Sequence, residues 1–432
     1  MIDSRTWAVS FAPVTGVRPG RCAGALPDPV DPPDARSNLA SVAGPDGEDL
    51  VTGARMVGLF AGIGGLELGL AAHGWHSTLL CEIDPGARAV LGARFPEAEL
   101  HTDITRLRAL PPETELVAAG FPCQDLSQAG RTAGITGTKS SLVDHVFRLV
   151  RRKRGPRWLL IENVPFMLQL GRGAAMRHIT DALEELGYTW AYRVVDARAF
   201  GLPQRRNRVL MLASRTEDPR TVLFADDAGP RLLGCVESDP CGFYWTEGVR
   251  GLGWVVNAVP TLKGGSGLGI PSAPAVRLPS GEMVTPGITD GERLQGFAPG
   301  WTEPALAVPG FRPGQRWRLV GNAVSVRMAS WVGSRLRIPG EPIPGHIPLP
   351  PGSPWPGAAW GHSGEAFEVP LSPWPVHESY EDLRFFLTDT RLLSARATAG
   401  FLRRTGMGTL RFPAGFLDDV QAHLVRMGGS AA

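Results

Sequence analysis

Short apolar runs and amphipathic stretches alternate between residues 55 and 214 of the chain. The apolar runs have the length and composition of buried strands, and the stretches between them have the spacing of helices that are apolar on one face. Strands are predicted at 56–60, 77–83, 116–119, 158–161, 192–195 and 209–213, and helices at 66–73, 85–94, 142–153 and 174–186. This alternation predicts a doubly wound α/β domain, with a mostly parallel sheet covered by helices on both faces.

The rest of the chain divides by composition. Residues 1–54 are rich in Pro, Gly and Asp without periodicity, which predicts a disordered leader. Residues 215–288 are loop-rich and predict a smaller irregular or β-rich domain, after which 289–338 return to helical patterns. Residues 339–376 carry many prolines and predict a linker. For 377–432 we expect a tail of short helices that packs on the 55–214 domain; docking of a partner and binding of DNA are the alternatives.

The basic residues are almost all arginine: 3 of the 44 are lysines, against 42 acidic residues. The formal charge of +2 gives no global basic field, and the codon bias of a GC-rich genome would explain the arginines equally well. The guanidinium group nevertheless suits phosphate, so arginine remains a candidate for nucleic-acid contacts.

Cysteine spacing and hydropathy exclude several classes of protein. The five cysteines are odd in number and include no Cys-x-x-Cys pair, which argues against a disulfide framework and a zinc site, so no metal is predicted. No signal peptide is recognisable, and the most apolar run, 158–170, is interrupted by Glu162. We expect a cytoplasmic protein without a membrane partner.

A glycine-rich turn follows the first predicted strand. Gly62, Gly64 and Gly65 would let the backbone approach a ligand, and Glu82 ends the next strand, where a carboxylate can bind ribose hydroxyls. A dinucleotide fingerprint would need glycine in place of Glu67, so NAD is disfavoured. By itself the turn is equally compatible with an ordinary strand–helix connection.

Three further motifs carry groups that could act together. Cys123 stands in Gly-Phe-Pro-Cys-Gln, Glu162 in Glu-Asn-Val, and Arg206 and Arg208 in Gln-Arg-Arg-Asn-Arg. A thiolate is a strong nucleophile, and a carboxylate with a guanidinium could polarise a heteroaromatic ring for attack. Taken singly, the cysteine could be a buried core residue and the charged groups could be solvated or salt-bridged.

In this order the motifs resemble those of the cytosine-5 DNA methyltransferase family, from about residue 55 to 338. The resemblance implies the cofactor S-adenosylmethionine, a target-recognition domain at 215–288, and a catalytic role for Cys123, Glu162, Arg206 and Arg208. It implies cofactor contacts at Phe60, Gly62, Gly64, Glu82, Ile83, Asp103, Ile104, Pro122, Leu142, Asn322 and Ala323. Glu292–Phe297 and Gly321–Val326 match the later motifs of the family.

The family flips its target base out of duplex DNA, because a buried base is out of reach. The resemblance implies DNA contacts at Gln124, Ser127 and Lys139, in a glycine-containing segment that would close over the DNA, and at Thr261. We expect a monomer that acts on the bacterial nucleoid, within a restriction-modification or related phage-defence system. A cognate nuclease or other defence-system proteins are the candidate partners, and the sequence leaves open whether either exists. An RNA cytosine-5 methyltransferase and a catalytically inactive DNA-binding regulator are the alternatives.

Overall fold

The computed structural model of the chain describes residues 53–122, 142–151, 155–265 and 273–429. The leader predicted for 1–54 therefore lies almost wholly outside the described residues. The strands are β1 (Ala54–Leu59), β2 (Trp75–Cys81), β3 (Glu99–His101), β4 (Leu116–Ala119), β5 (Trp158–Asn163), β6 (Thr189–Asp196), β7 (Gln204–Arg205), β8 (Asn207–Ser214), β9 (Cys241–Phe243), β10 (Trp254–Val256), β11 (Val259–Pro260), β12 (Ala275–Arg277), β13 (Met283–Pro286), β14 (Ile347–Pro348), β15 (Ala358–His362), β16 (Glu365–Glu368) and β17 (Thr390–Leu392). The helices are α1 (Gly65–Ala71), α2 (Pro85–Arg94), α3 (Leu142–Val150), α4 (Ala174–Glu185), α5 (Arg220–Leu223), α6 (Ile288–Leu294), α7 (Arg316–Asn322), α8 (Val326–Arg337), α9 (Ala395–Met407) and α10 (Phe416–Arg426).

A ten-stranded sheet forms the centre of the molecule, in the order β14-β16-β15-β6-β8-β5-β4-β1-β2-β3. Strands β3, β2, β1, β4 and β5 are parallel to their neighbours, whereas the pairs from β5–β8 outward to β14 are antiparallel. The sheet is thus mixed rather than mostly parallel. The connection from β6 to β8 spans residues 197–206, and a parallel crossover needs a dozen or more residues, so these two strands pair antiparallel.

The central strands of the sheet contribute to two cores, one on each face. Met56, Ala118 and Leu160 pack with α1 and α8, while their chain neighbours Val57 and Val117 pack with α3 and α4. Alternate residues of a strand point to opposite faces, so a strand buried on both sides is apolar throughout. The predicted doubly wound α/β fold is confirmed.

The prediction of a linker at 339–376 is wrong, because this segment contains the strands β14, β15 and β16. Strand β15 pairs with β6, with Ala358 opposite Arg193, and so extends the large sheet. Arg193 is fully buried and donates to the carbonyl of Ser372 (Nε···O 3.0 Å) and to Asp227 (Nη2···Oδ1 2.7 Å). Most of the prolines lie outside these short strands. Their number made the whole segment resemble a linker by composition, so the strands were not predicted.

A smaller five-stranded sheet has the order β10-β9-β12-β13-β17. Its first four strands come from the predicted β-rich region, but α5 before them packs on the large sheet: Val222, Leu223 and Phe224 belong to the same core as α8. The small domain therefore begins later than residue 215.

The tail supplies the remaining part of the small domain. Strand β17 pairs with β13, and Phe401 of α9 and Phe416 of α10 pack on Phe243 of β9, with ring centroids 4.7 and 5.3 Å away. The tail does form helices, as predicted, but α9 and α10 pack on the small sheet rather than on the 55–214 domain. Its burial depends on contacts with residues more than 100 positions earlier, which local periodicity does not reveal.

Among the described residues, no helix is both long and apolar enough to cross a membrane. Over the same ranges, no cluster of three or more His, Cys, Asp or Glu side chains could hold a metal ion.

Candidate active site

A cavity of about 520 Å³ opens at the carboxyl ends of β1, β2, β4 and β5. Ligands of open α/β sheets bind at this edge, where the strand order reverses. Its lining includes these residues expected from the sequence: Phe60, Gly62, Glu82, Ile83, Asp103, Ile104, Pro122, Leu142, Glu162, Arg208 and Asn322. The fold thus gathers residues from eight separate segments around one space.

The turn after β1 forms one wall. Phe60, Gly62 and Gly64 all have positive φ (56°, 55° and 85°), and a Cβ at Gly62 would meet nothing within 4 Å. Glu82 holds the turn by accepting hydrogen bonds from the backbone N–H groups of Gly62 and Asp84, both at 2.8 Å. Phe60 is a non-glycine residue in the left-handed region, a costly conformation that proteins tolerate mainly at functional sites.

Gly64 and Ala323 support the cavity without lining it. Gly64 precedes α1, and a Cβ there would lie 2.3 Å from the ring of Phe95. Ala323 is buried, and its carbonyl accepts a hydrogen bond from the guanidinium of Arg206 at 2.5 Å. Cofactor contacts at Gly64 and Ala323 stay predictions.

Asp103 lines the same cavity as the glycine turn. Hydrogen bonds from the hydroxyl and N–H of Thr105 (2.8 and 2.9 Å, both to Oδ1) hold the pKa of Asp103 below its usual range. Oδ2 is left 3.7 Å from Arg106 Nε. An ionised acceptor oxygen at the cavity can bind an amine or hydroxyl.

Glu162 and Arg208 form an ion pair in the cavity wall. Glu162 Oε1 lies 2.8 Å from Arg208 Nε, and Arg208 Nη1 donates to the carbonyl of Asn207 at 2.7 Å. Both residues are 7% exposed, so this is an ion pair with restricted access to water. The carboxylate comes from the end of β5 and the guanidinium from the adjacent antiparallel strand β8, which explains how residues 46 positions apart meet.

Arg206 differs from Arg208 in position. It is 1% exposed and donates to the carbonyls of Leu262 (Nη1, 2.9 Å), Gly321 (Nη2, 3.3 Å) and Ala323. Burial and the neighbouring Arg208 lower its pKa well below the usual value. The described cavity lining does not include Arg206, and its contacts suit a positioning role between the segments at Leu262 and Gly321. A catalytic role for Arg206 stays a prediction.

The end of β5 also holds the segment Phe121–Pro122, which leads to Cys123 and is called the elbow below. Asn163 Nδ2 donates to the carbonyl of Phe121 at 3.0 Å, and its Oδ1 accepts from the N–H of Val164 at 2.8 Å. Phe121 and Pro122 both line the cavity, and Pro122 directly precedes Cys123 in the chain. In the sequence, Asn163 was recognised only as part of the Glu-Asn-Val motif. The signal for its structural role was its position in an apolar strand directly after Glu162.

Two buried glutamines join the catalytic and small domains. Gln204 donates to the Leu294 carbonyl (2.9 Å) and to Gln295 Oε1 (3.2 Å), and it accepts from the N–H of Leu262 (2.9 Å). Gln295 Nε2 in turn donates to the Val320 carbonyl at 2.8 Å. Both glutamines are fully buried. This network, missed as functional from the sequence, fixes β11 and its following residues beside the cavity.

Thr261 lies at the same junction. Its hydroxyl donates to the carbonyl of Arg205 (2.7 Å), and its own carbonyl accepts from the hydroxyl of Tyr244 (2.8 Å). The threonine hydroxyl is thus engaged within the protein, and a contact of Thr261 with DNA stays a prediction. Four other predicted residues, Cys123, Gln124, Ser127 and Lys139, lie outside the described residues.

A buried carboxyl group lies beneath the glycine turn. Glu67 of α1 is 1% exposed, and neither of its side-chain oxygens has a hydrogen-bond partner among the described residues. Burial raises its pKa to about 8. Its Oε1 lies against Gly58 of β1, where an added Cβ would approach to 2.1 Å. The carboxyl is sealed between helix and strand, outside the cavity.

Comparison with known proteins agrees with this arrangement. Residues 54–228 match the family described as C-5 cytosine-specific DNA methylase. Type II methyltransferase M2.BsuMI of Bacillus subtilis (strain 168) is 49% identical over 366 residues, covering 82% of this chain and 94% of that protein. Type II methyltransferase M.BsuFI of Bacillus subtilis is 36% identical over 157 residues, covering 36% of this chain and 38% of that protein.

Among solved structures, the S. pombe Dnmt2 methyltransferase matches with a TM-score of 0.47 and 17% identity, covering 66% of this chain and 98% of that chain. The likeness to M2.BsuMI is much stronger, because it spans nearly the whole of that protein at about half identity. On that ground the chain belongs to the C-5 cytosine-specific DNA methylase family and is a DNA cytosine-5 methyltransferase.

Proposed function

We propose that the enzyme transfers a methyl group from S-adenosylmethionine to carbon 5 of a cytosine flipped out of a specific duplex site, through a covalent bond to Cys123. The observation that carries the proposal is the Glu162–Arg208 ion pair, which shares one cavity with the glycine turn at Gly62 and with Glu82. Such a transfer needs one group of residues that polarises the base and another that binds the nucleoside part of the cofactor. The ion pair would serve the first purpose, and the glycine turn with Glu82 the second.

The cavity residues fit S-adenosylmethionine. A space of about 520 Å³ falls within the range of small-molecule sites. Each oxygen of Glu82 accepts one backbone hydrogen bond and keeps lone-pair capacity for a ribose hydroxyl, while Asp103 Oδ2 can accept from the adenine amine. When bound, the cofactor supplies an electrophilic methyl group on a sulfonium. The open space at Gly62 lets the ligand approach the backbone.

The cysteine supplies the nucleophile for this reaction. The Cys123 thiolate adds to carbon 6 of cytosine and forms a carbon–sulfur bond. Nitrogen 3 becomes protonated by a proton from solvent, which it shares with the Glu162 carboxylate once the base is bound. Arg208 holds the carbonyl oxygen of the ring and stabilises the charge that develops there. Carbon 5 then takes the methyl group, loses its proton to a base, and the carbon–sulfur bond breaks to release the thiolate.

The base must leave the duplex first, since Cys123 cannot reach a stacked cytosine. We assign Gln124 to the space that the base vacates, and Ser127, Lys139 and Thr261 to the DNA around it. The small domain, with its sheet and tail helices, would select the sequence that is methylated.

The biological setting proposed is protection of host DNA in a restriction-modification or related phage-defence system. Support comes from the two relatives, both of which carry the name Type II methyltransferase. In this setting the enzyme acts as a monomer on the nucleoid, and a nuclease of the same specificity is its partner system.

The test is methylation mapping of DNA from a methylation-free host that expresses either the wild type or Cys123→Ala. Methylation at one motif with the wild type alone supports the reaction and the nucleophile together. A duplex carrying 5-fluorocytosine at that motif should form a covalent adduct with the wild type and none with the variant.

Two results would contradict the proposal. Transfer to RNA with none to DNA would support the RNA methyltransferase alternative. Sequence-specific DNA binding by soluble wild-type protein, without methyl transfer or trapping, would support an inactive regulator.

A further inference from the structure

The tail helix α9 lies within an unbroken basic stretch of the sequence. Between residues 390 and 417 the chain carries five arginines and no acidic residue. Elsewhere acidic and basic residues nearly balance, since the whole chain has 44 basic and 42 acidic residues. Codon bias toward arginine does not explain the missing Asp and Glu of this stretch.

The packing of α9 decides which arginines face outward. Phe401 is fully buried against Phe243 and Phe412. At 3.6 residues per turn, Arg403 lies roughly 200° around the helix from Phe401, and Arg396 lies within about 20° of Arg403. Arg396 and Arg403 therefore project from the side opposite the core. Both are exposed, and we call this pair the α9 arginine face.

The α9 arginine face is not neutralised by the protein. Among the described residues, no ion pair involves either arginine; the nearby Asp419 pairs instead with Arg277. The exposed positions between them include Ala399, a small residue that would not block an approaching backbone. Two guanidiniums two helical turns apart, about 10 Å along the axis, form an extended cationic strip.

The helix also adjoins the junction beside the active site. Arg404, the next residue in α9, donates to the carbonyl of Trp245. The neighbouring Tyr244 bonds the Thr261 carbonyl and holds Lys263 Nζ 4.3 Å from its ring centroid. The chain of contacts from α9 to the cavity side of the small domain is thus short.

We propose that the α9 arginine face binds the phosphate backbone of duplex DNA that flanks the methylated site. The inference rests on the proposed function, because it takes the substrate of the cavity to be part of the same duplex. Arginine is well suited to phosphate, and phosphate contacts fix the position of a protein on DNA without reading the sequence. The tail would thereby add affinity and register to recognition by the small sheet.

The test compares full-length Arg396→Gln/Arg403→Gln with the wild type, using a mixed-sequence duplex that carries the mapped motif. The slope of log binding constant against log salt should become shallower by about 1 for each arginine removed. Methyl transfer at saturating duplex should stay near the wild-type rate, since the face lies outside the cavity. Arg396→Lys/Arg403→Lys should restore most of the salt slope because it keeps the charge.

The matched control is Arg108→Gln/Arg337→Gln, which removes two exposed arginines from the catalytic domain. Arg337 approaches Gly74, just before β2, at the edge of the sheet opposite the cavity. Three results would overturn the inference. The slope could change equally for the control and the α9 variant, or it could stay unchanged for the α9 variant. It could also change with transfer RNA but not with duplex DNA. If instead the wild type fails to methylate DNA, the proposed function fails, and the salt slopes still decide whether the face binds phosphate.

Discussion

The side-chain amide of Asn163 is bonded to the carbonyl of Phe121, with 3.0 Å between Nδ2 and O. This buried contact joins the end of β5 to the elbow that leads to Cys123. Glu162, the neighbour of Asn163, is ion-paired in the cavity wall. The same strand end therefore holds the proposed base-binding carboxylate and the segment that carries the proposed nucleophile, so that one can be placed relative to the other.

Asn163→Ala should lower the rate of methyl transfer with little effect on cofactor affinity. An unsatisfied buried carbonyl costs about 1–3 kcal/mol, so we expect a fall of roughly 10- to 100-fold in the single-turnover rate if this cost appears at the elbow. Asn163→Asp should be worse, because an acceptor oxygen would face the Phe121 carbonyl. Asn207→Ala, which removes an exposed amide, is the control. Equal rates for Asn163→Ala and this control would contradict the role.

Arg206 and Arg208 should respond differently to substitution. Arg206→Met removes a fully buried guanidinium that serves three carbonyls, so its free energy of unfolding should fall by about 3 kcal/mol or more. Arg208→Lys keeps the charge but loses the planar fork at Glu162, so the transfer rate should fall while stability changes little.

Chemical denaturation and single-turnover methyl transfer, measured on both variants, separate these effects. If Arg206→Met is as stable as the wild type but inactive, Arg206 acts on the substrate and the positioning role is wrong.

Glu82→Gln should weaken binding of the cofactor product S-adenosylhomocysteine by tenfold or more, about 1.4 kcal/mol. The glutamine amide has one acceptor oxygen, whereas the carboxylate accepts from Gly62 and Asp84 through separate oxygens. Titration calorimetry measures the affinity, and Glu99→Gln, an exposed carboxylate of β3, should bind as the wild type does. Unchanged affinity in Glu82→Gln would remove Glu82 from the cofactor site.

The placement of Glu82 and Glu162 in one cavity follows from the sequence, because parallel strands end at the same edge of a sheet. The different positions of Arg206 and Arg208, by contrast, could not be predicted from the sequence. Alternation along a strand predicts that they share a face, but Arg206 lies between β7 and β8, where the chain is not a strand. Long-range pairing was also hidden: β15 meets β6, and Phe401 meets Phe243, across more than 150 residues. Local periodicity carries no record of such partners.

Phe401→Ala should impair DNA binding by the small domain while leaving cofactor binding by the large domain intact. Truncating a fully buried phenylalanine costs about 3–5 kcal/mol, and the loss falls on the core that α9 shares with β9. DNA binding should weaken strongly, while S-adenosylhomocysteine affinity, which depends on the other domain, stays within twofold. Phe385→Ala, which trims an exposed phenylalanine of the tail, is the control for both assays. Joint loss of DNA and cofactor binding would mean that the small domain is not a separate folding unit.

Glu67→Gln should change how stability depends on pH. Below about pH 4.5 the carboxyl is protonated in both the folded and unfolded states. Between pH 4.5 and about 8 the unfolded chain ionises while folded Glu67 keeps its proton, so the wild-type free energy of unfolding loses up to about 1.4 kcal/mol per pH unit through this group. Above pH 8 both states are ionised and the loss is complete. Glutamine cannot ionise, so the stability difference, wild type minus Glu67→Gln, should fall steadily from pH 5 to 8 and then level off, as measured by urea denaturation. Exposed Glu99→Gln should leave the wild-type profile unchanged; a constant difference for Glu67→Gln would mean that the buried carboxyl is not protonated in the folded enzyme.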